Sequence, residues 1–438
     1  MSNTRLLMLS AVGALLMSAA QAAEIRTSAP ERQGMSEERL QQVEELNRRY
    51  TDSGKIAGIL TAVVRNGRIV HQSAAGVKGV DDQRTIQMDD LFRIHSMTKP
   101  ITATAAMQLY EQGKFQLTDP VSKFVPELAN LNVYEDGELR PAARGMTMQQ
   151  LLNHTAGFSY GFDPTHPVDK MYVEADLWGA KDLDDFIARL AQLPLMFEPG
   201  ERWQYSVAVD VTGLVVQRLS GQPFDEYLKE HIFEPLDMVD TSFSVPADKA
   251  HRFLPNHLLN QEGEAVAMQG AEELMPQAPR ILKNCKALCD YENVTLFSGG
   301  AGLVSTLRDY VRYAEAMRDG ELDGVRILSP KTVNYMRVNH LPPNVGGGGS
   351  GEQPNLAGDA LMGFGFGLGF GLVTSTTEQG VIGSVGQYYW GGASGTVFWI
   401  DPVENMVVVS MMQLLGGWRS YRPELRVATY QALLESYE

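Results

Sequence analysis

Strand-like runs stand at the two ends of this chain with a long helical stretch between them, and that order excludes a repeating strand-helix-strand fold. Near the start, Ile59 to Val64 and Ile69 to Ala74 read as two strands. They flank Asn66-Gly67, the pair best suited to a two-residue hairpin turn. Near the end, Phe364 to Val373, Gly380 to Ser384, Gly395 to Ile400 and Met406 to Met412 alternate or run apolar between turn residues, and Pro423 to Tyr437 reads as a closing helix. Between them, Met148 to Leu152, Asp182 to Leu193, Val207 to Ser220, Pro223 to Ile232 and Thr306 to Met317 carry helical periodicity, the last with Ser305 as its expected N-cap. The predicted class is therefore α/β in the α+β sense: a mainly antiparallel sheet flanked by helices, with an inserted helical lobe. The α/β lobe takes residues 23–100 and 295–438 and the helical lobe residues 101–294. Ser36 caps a first helix carrying Leu40, Val43 and Leu46, expected to pack on the N-terminal hairpin at the edge of the sheet.

Two further segments set the context. Arg5, the apolar run Leu6 to Ala19 and the small residues Ala20-Gln21-Ala22 read as a secretory signal peptide cleaved after Ala22, too short to remain as a membrane span. A periplasmic or secreted protein with no stable membrane association is expected. The full chain carries a formal charge of −16, and removing residues 1–22 with their single Arg5 gives −16 − 1 = −17. Such an acidic surface repels nucleic acid, and no basic run with interleaved aromatics overrides it. At 44% apolar residues the chain builds a core without a disulfide scaffold. Its two cysteines, Cys285 and Cys289, permit either a local bridge or two free thiols. The histidines are scattered and form no ligand pair beside those cysteines, so neither metal nor cofactor is expected. Asn344 to Gly358, with its glycine run, reads as a mobile loop, and Pro164 to Lys181 and Asp248 to Tyr291 as walls of a pocket.

The chemistry concentrates at Arg93-Ile94-His95-Ser96-Met97-Thr98-Lys99-Pro100. If a helix begins near Ser96, Lys99 lies one turn on, its Cβ about 5 to 6 Å from that of the serine. A serine hydroxyl needs a base, and a lysine serves if burial lowers its pKa. The helix N-terminus offers unpaired N–H groups to a developing oxyanion, Pro100 suits the first turn, and Gly113 suits the stop. Ser-x-x-Lys alone is common, but Tyr205-Ser206-Val207 and Tyr389-Trp390-Gly391-Gly392-Ala393 follow it between turn and strand signals.

A rival serine sits in Gly157-Phe158-Ser159-Tyr160-Gly161, a literal G-x-S-x-G. That motif works where a buried strand turns sharply into a helix, whereas a helical run precedes Ser159 and Pro164 and Pro167 follow it. Ser159 is therefore read as a decoy and His154 as structural. The glycine run Ser298 to Gly302 lacks a Gly-Lys-Ser/Thr signature and is read as close backbone packing rather than a phosphate cradle.

With these motifs in place the chain resembles the serine β-lactamase (class C-like) and penicillin-binding superfamily, closest to the family VIII carboxylesterases. The resemblance rests on Ser96-Met97-Thr98-Lys99-Pro100, Leu117 to Lys123, Leu151 to Gly157, Glu198 to Ser206, Ser298 to Leu303 and Trp390-Gly391-Gly392. It implies a β-lactamase/transpeptidase-like fold and an acyl-enzyme on Ser96, with Lys99 and Tyr205 sharing acid and base work. It also implies an oxyanion hole made by the backbone amides of Ser96 and Ala393, the latter following an edge strand. Where the β-lactamase pattern has asparagine and lysine, this sequence has Val207 and Trp390. With Gly391 and Gly392 these form the expected substrate pocket, an apolar wall suited to small neutral esters. A β-lactamase, a D-amino-acid peptidase or amidase, and an acyltransferase use the same machinery. A non-enzymatic binding protein is the remaining class.

Overall fold

The computed structural model describes residues 24–268, 286–343, 345, 363–417 and 419–438. The expected leader, the glycine run at 346–351 and Cys285 lie outside the described residues. Eight strands form one antiparallel sheet: β1 (Gly58–Arg65), β2 (Arg68–Gly79), β3 (Asp82–Thr85), β4 (Phe364–Phe366), β5 (Gly371–Val373), β6 (Tyr388–Gly391), β7 (Val397–Asp401) and β8 (Met406–Met411). Their order is β4-β5-β6-β7-β8-β1-β2-β3. Asn66 and Gly67, at φ 53° and 69°, take the left-handed backbone that the β1–β2 turn needs.

The sheet is covered on both faces, and the strand period decides which side chain goes where. Ile59 and Val63 of β1, Trp399 of β7 and Val408 of β8 pack under helices α1 (Glu37–Asp52) and α5 (Tyr421–Tyr430). Their neighbours Leu60, Ala62, Val64, Phe398, Val407 and Val409 face the other way, into the larger core with helices α2 (Thr98–Glu111), α3 (Ala208–Ser220) and α4 (Leu307–Ala316). Ser36 caps α1, its hydroxyl accepting from the Arg39 amide at 3.3 Å. The helical region continues with Met148–Leu152, Pro167–Glu174, Leu183–Leu190 and Phe224–Leu228. Among the described residues no helix is long and apolar enough to cross a membrane.

Several expectations are corrected. The N-terminal hairpin is not the sheet edge: β1 pairs with β8 on one side and β2 on the other, and the short, exposed β3 forms the edge. Phe364 to Val373 is two strands, because Gly369, at φ 92°, turns the chain between them. Gly380 to Ser384 is no strand: Thr376–Gln379 is a helical turn capped by Ser375, and Gly380 ends it at φ 67°. Thr306, not Ser305, caps α4, since its hydroxyl accepts from the Asp309 amide while Ser305 pairs with Phe92. The closing helix starts at Tyr421 and stops at Tyr430. The expected pocket wall at Pro164 to Lys181 contains the helix Pro167–Glu174. Of the two states left open for the cysteines, Cys289 takes the first: it is disulfide-bonded.

Candidate active site

Helix α2 is buried from Thr98 to Leu109, and its first turn is anchored from several sides. The Tyr310 hydroxyl donates to the Met97 carbonyl at 2.9 Å, the Leu303 amide to Thr98 Oγ1 at 3.1 Å, and Thr102 Oγ1 to the Gly299 carbonyl at 2.8 Å. Ser96 sits in a short 3-10 turn, His95–Met97, just ahead of the α-helix. Pro100 falls in the first turn of α2 and Gly113, at φ 72°, follows its end.

Lys99 is 1% exposed, with its Nζ 3.4 Å from Ser96 Oγ, 2.8 Å from the Tyr160 hydroxyl and 2.7 Å from the Gly300 carbonyl. Burial lowers its pKa to about 7, against the opposing charge of Asp210. A neutral amine has two N–H bonds, and Tyr160 and Gly300 supply two acceptors. The lone pair is then left for the third neighbour, Ser96, whose hydroxyl can donate to it.

Tyr205 precedes α3 and is buried among rings: its centroid lies 5.0 Å from His154, 5.2 Å from Tyr160 and 5.4 Å from Trp390. Lys99 Nζ stands 4.5 Å from the Tyr205 ring centroid. Burial raises the pKa of the phenol, and the nearby Ser96 and Trp390 oppose that rise, although its hydroxyl makes no hydrogen bond of ordinary geometry among the described residues. Lys99 and Tyr205, both near pKa 10 in water, are thus driven in opposite directions by one apolar setting, because the charged form is the ammonium in one and the phenolate in the other.

Two groups here escaped the sequence reading. Tyr160 accepts from Lys99, and burial raises its pKa well above the ordinary value, so it stays protonated. Asp210 accepts from the Ser298 hydroxyl and, at 3.0 Å, from the Gly300 amide. Its signal was present: one acid inside the otherwise apolar or small run Val207 to Val216. Gly300 passes so close that a Cβ there would lie 2.5 Å from Asp210 Oδ2 and 2.9 Å from the Tyr160 hydroxyl.

The remaining predicted residues are distributed as follows. Trp390 and Gly391 end β6, paired with Phe398 and Val397 of β7. β6 is internal, not an edge, but β5 pairs only with Tyr388 and Tyr389, so the strand's last two residues are open on that side. Gly392 packs against the residue pair before Ser96, where a Cβ on it would lie 2.5 Å from the Ile94 carbonyl, and Ala393 follows in the turn closed by the Gly395 amide donating to the Gly392 carbonyl at 3.1 Å. Trp390 is 7% exposed, its ring 5.3 Å from that of Phe366. Val207 is fully buried at the N-cap of α3, its amide donating to the Ser159 carbonyl at 3.2 Å, and offers a cleft no accessible surface. Ser159 is itself fully buried and donates to Asp169, while His154 Nδ1 lies 3.3 Å from Ser206 Oγ. Among the described residues no three His, Cys, Asp or Glu gather as metal ligands.

Known proteins are similar to this chain over most of their length. An uncharacterized protein of Mycobacterium tuberculosis is 32% identical over 379 residues, 84% of this chain and 88% of that protein. Esterase EstB of Burkholderia gladioli is 29% identical over 362 residues, 81% of this chain and 85% of its own. Among solved structures, EstCE1, a hydrolase with promiscuous acyltransferase activity, matches with a TM-score of 0.72 at 24% identity, over 90% of this chain and 99% of that one. The Beta-lactamase family model covers residues 43–431, from within α1 to just beyond α5, so it spans the sheet, the helical middle and both turns around Ser96. The chain is therefore a serine hydrolase of the beta-lactamase family.

Proposed function

We propose that the protein is an exported carboxylesterase that cleaves small neutral esters through an acyl-enzyme on Ser96. The observation that carries this reading is the aromatic wall beside the serine. Trp390 packs on Tyr205 and Phe366 at the position where a lysine would hold a substrate carboxylate. Exported status is supported by the apolar leader of the sequence and by the disulfide at Cys289, which suits an oxidising compartment.

In this reading neutral Lys99 takes the proton of Ser96 as Oγ bonds to the ester carbonyl carbon. The amides of Ser96 and Ala393 receive the oxyanion. On collapse the carbon–alkoxide bond breaks, and the proton passes from Lys99 to the leaving alkoxide through the Tyr205 hydroxyl. Water then repeats the sequence on the acyl-enzyme, releasing the acid and restoring Ser96. The Lys99 pKa of about 7 supports its part as base, and the raised pKa of Tyr205 supports its part as a proton donor that does not ionise.

The test is labelling with a fluorophosphonate probe, alongside turnover of p-nitrophenyl acetate and butyrate against nitrocefin. Ser96→Ala is expected to abolish labelling and to cut ester turnover by on the order of a thousandfold, while Ser159→Ala retains both. Loss only in Ser159→Ala would move the nucleophile. A wild-type preference for nitrocefin would replace the esterase with a β-lactamase.

A further inference from the structure

The residue before the nucleophile has an unusual backbone. His95 is at φ 43°, in the left-handed region, which a non-glycine residue occupies at a cost of about 1 kcal/mol or more unless its surroundings hold it there. Its side chain supplies the hold. His95 Nε2 lies 2.9 Å from Ser394 Oγ, and the Ser394 hydroxyl donates to Asn256 Oδ1 at 2.8 Å. The serine proton is committed to Asn256, so the serine oxygen accepts from His95, which fixes the imidazole as the Nε2–H tautomer. Ser394 and Asn256 are both buried.

The positions matter more than the bonds alone. His95 is adjacent to Ser96, and Ser394 is adjacent to Ala393, so the contact joins the two segments whose amides form the oxyanion hole in the function proposed above. The segment that carries Asn256 also holds the short strand Phe92–Arg93 that leads into the His95 turn. Arg93 Nη1 donates to the Leu254 carbonyl at 2.6 Å, and the Arg93 guanidinium lies 3.9 Å from the centre of the Phe253 ring. The opposite turn is held in place through the Leu414 amide, which donates to the Ser394 carbonyl at 2.8 Å.

We infer that His95 is a positioning residue: through Ser394 and Asn256 it braces the Ser96 turn against the Gly392–Gly395 turn and so sets the spacing of the two oxyanion-hole amides. The contact needs no charge. Burial, together with the cations Arg93 and Lys99, lowers the imidazole's pKa to about 3, so the brace keeps one form throughout the range in which Lys99 titrates.

The experiment compares His95→Asn, which tolerates the left-handed backbone but is too short to reach Ser394, with His95→Gln, whose amide can restore the donor, and with Ser394→Ala. The readouts are kcat and KM for p-nitrophenyl butyrate, the inhibition constant of butylboronic acid, which places an anionic oxygen in the hole, and Tm. His95→Asn and Ser394→Ala are each expected to lower kcat by roughly ten- to a hundredfold with KM within about twofold, less than the loss of a whole oxyanion donor. Boronate affinity should fall in parallel, His95→Gln should recover most of the loss, and the double variant should be little worse than either single one. Wild-type kcat and boronate affinity in Ser394→Ala would overturn the brace, and that variant decides the matter even if His95→Asn fails to fold. Losses that leave boronate affinity intact, or that His95→Gln does not restore, would overturn it too. Ser96→Ala run in parallel separates the two levels: if it retains turnover, the underlying reading has failed, whereas an inactive Ser96→Ala beside fully active His95 and Ser394 variants removes the brace alone.

Discussion

Replacing Asp210 by asparagine tests how the base is tuned. Gly300 connects the two charges: its carbonyl accepts from Lys99 at 2.7 Å and its amide donates to Asp210 Oδ1 at 3.0 Å. Asparagine keeps an oxygen for the Gly300 amide and the Ser298 hydroxyl, and puts its NH2 where Oδ2 makes no hydrogen bond among the described residues. What changes is the charge. Only the Gly300 residue lies between the groups, and at a separation of about 6 Å and an effective dielectric constant of about 20 the attraction is about 3 kcal/mol, an upper limit of about 2 pKa units. Asp210 raises the Lys99 pKa, so its loss lowers it from about 7. In the function proposed above neutral Lys99 is the active form, hence activity should disappear as pH falls through that pKa, and the variant should keep working to lower pH. The assay is kcat/KM for p-nitrophenyl butyrate from about pH 5 to 9, in which the acidic limb should stand near 7 in the wild type and one to two units lower in Asp210→Asn. A limb that stays in place or moves upward would refute the assignment of Lys99 as the titrating base.

Other expectations follow from the same geometry. Lys99→Ala and Tyr205→Phe should each cost nearly as much kcat as Ser96→Ala, with the double variant hardly worse, and strictly additive losses would reduce one of them to a structural part. A Val207→Asn, Trp390→Lys variant should raise the ratio of nitrocefin to ester kcat/KM by about 5- to 150-fold, mainly through position 390 because Val207 is fully buried; an unchanged ratio would sink the charge argument. Burial raises the Glu315 carboxyl to about 7, so the folded protein holds a proton that the unfolded chain releases above about 4.5, and stability falls as pH rises between those values. Glu315→Gln removes that dependence, and urea unfolding should show it stabilised by roughly 1 to 3 kcal/mol at pH 8 with little change below pH 5; destabilisation at pH 8 would mean that the Arg318 contact outweighs burial.

What was legible in the sequence was what local chemistry determines. Asn66-Gly67 and Ser36 announced a turn and a cap because their backbone and side-chain preferences act within a few residues. Ser96 and Lys99 share one turn, so their proximity was readable, and the motif order placed Tyr205 and Trp390 beside them. Partners supplied by distant segments were not. Nothing near His95 points to Ser394, which is 299 residues away, and nothing in Tyr160 reveals that its hydroxyl faces Lys99 across a sequence separation of 61. The strand expected at Gly380 to Ser384 failed for a related reason: the Ser375 cap and the left-handed Gly380 settled the local backbone before any sheet neighbour could.

The pairing of β1 with β8 sets Leu60 opposite Met411 and Arg65 opposite Met406, so the middle of the sheet is a seam between the first and last parts of the polypeptide. Strand β1, buried along its whole length, has no partner for one edge until the last strands exist, and a seam of such sequence separation closes slowly because its loop entropy is lost before its contacts form. The growing chain therefore spends its synthesis with β1 exposed, and the fold locks only at the end. A truncation that deletes β8 would leave β1 as a sticky, aggregation-prone edge rather than a smaller folded protein.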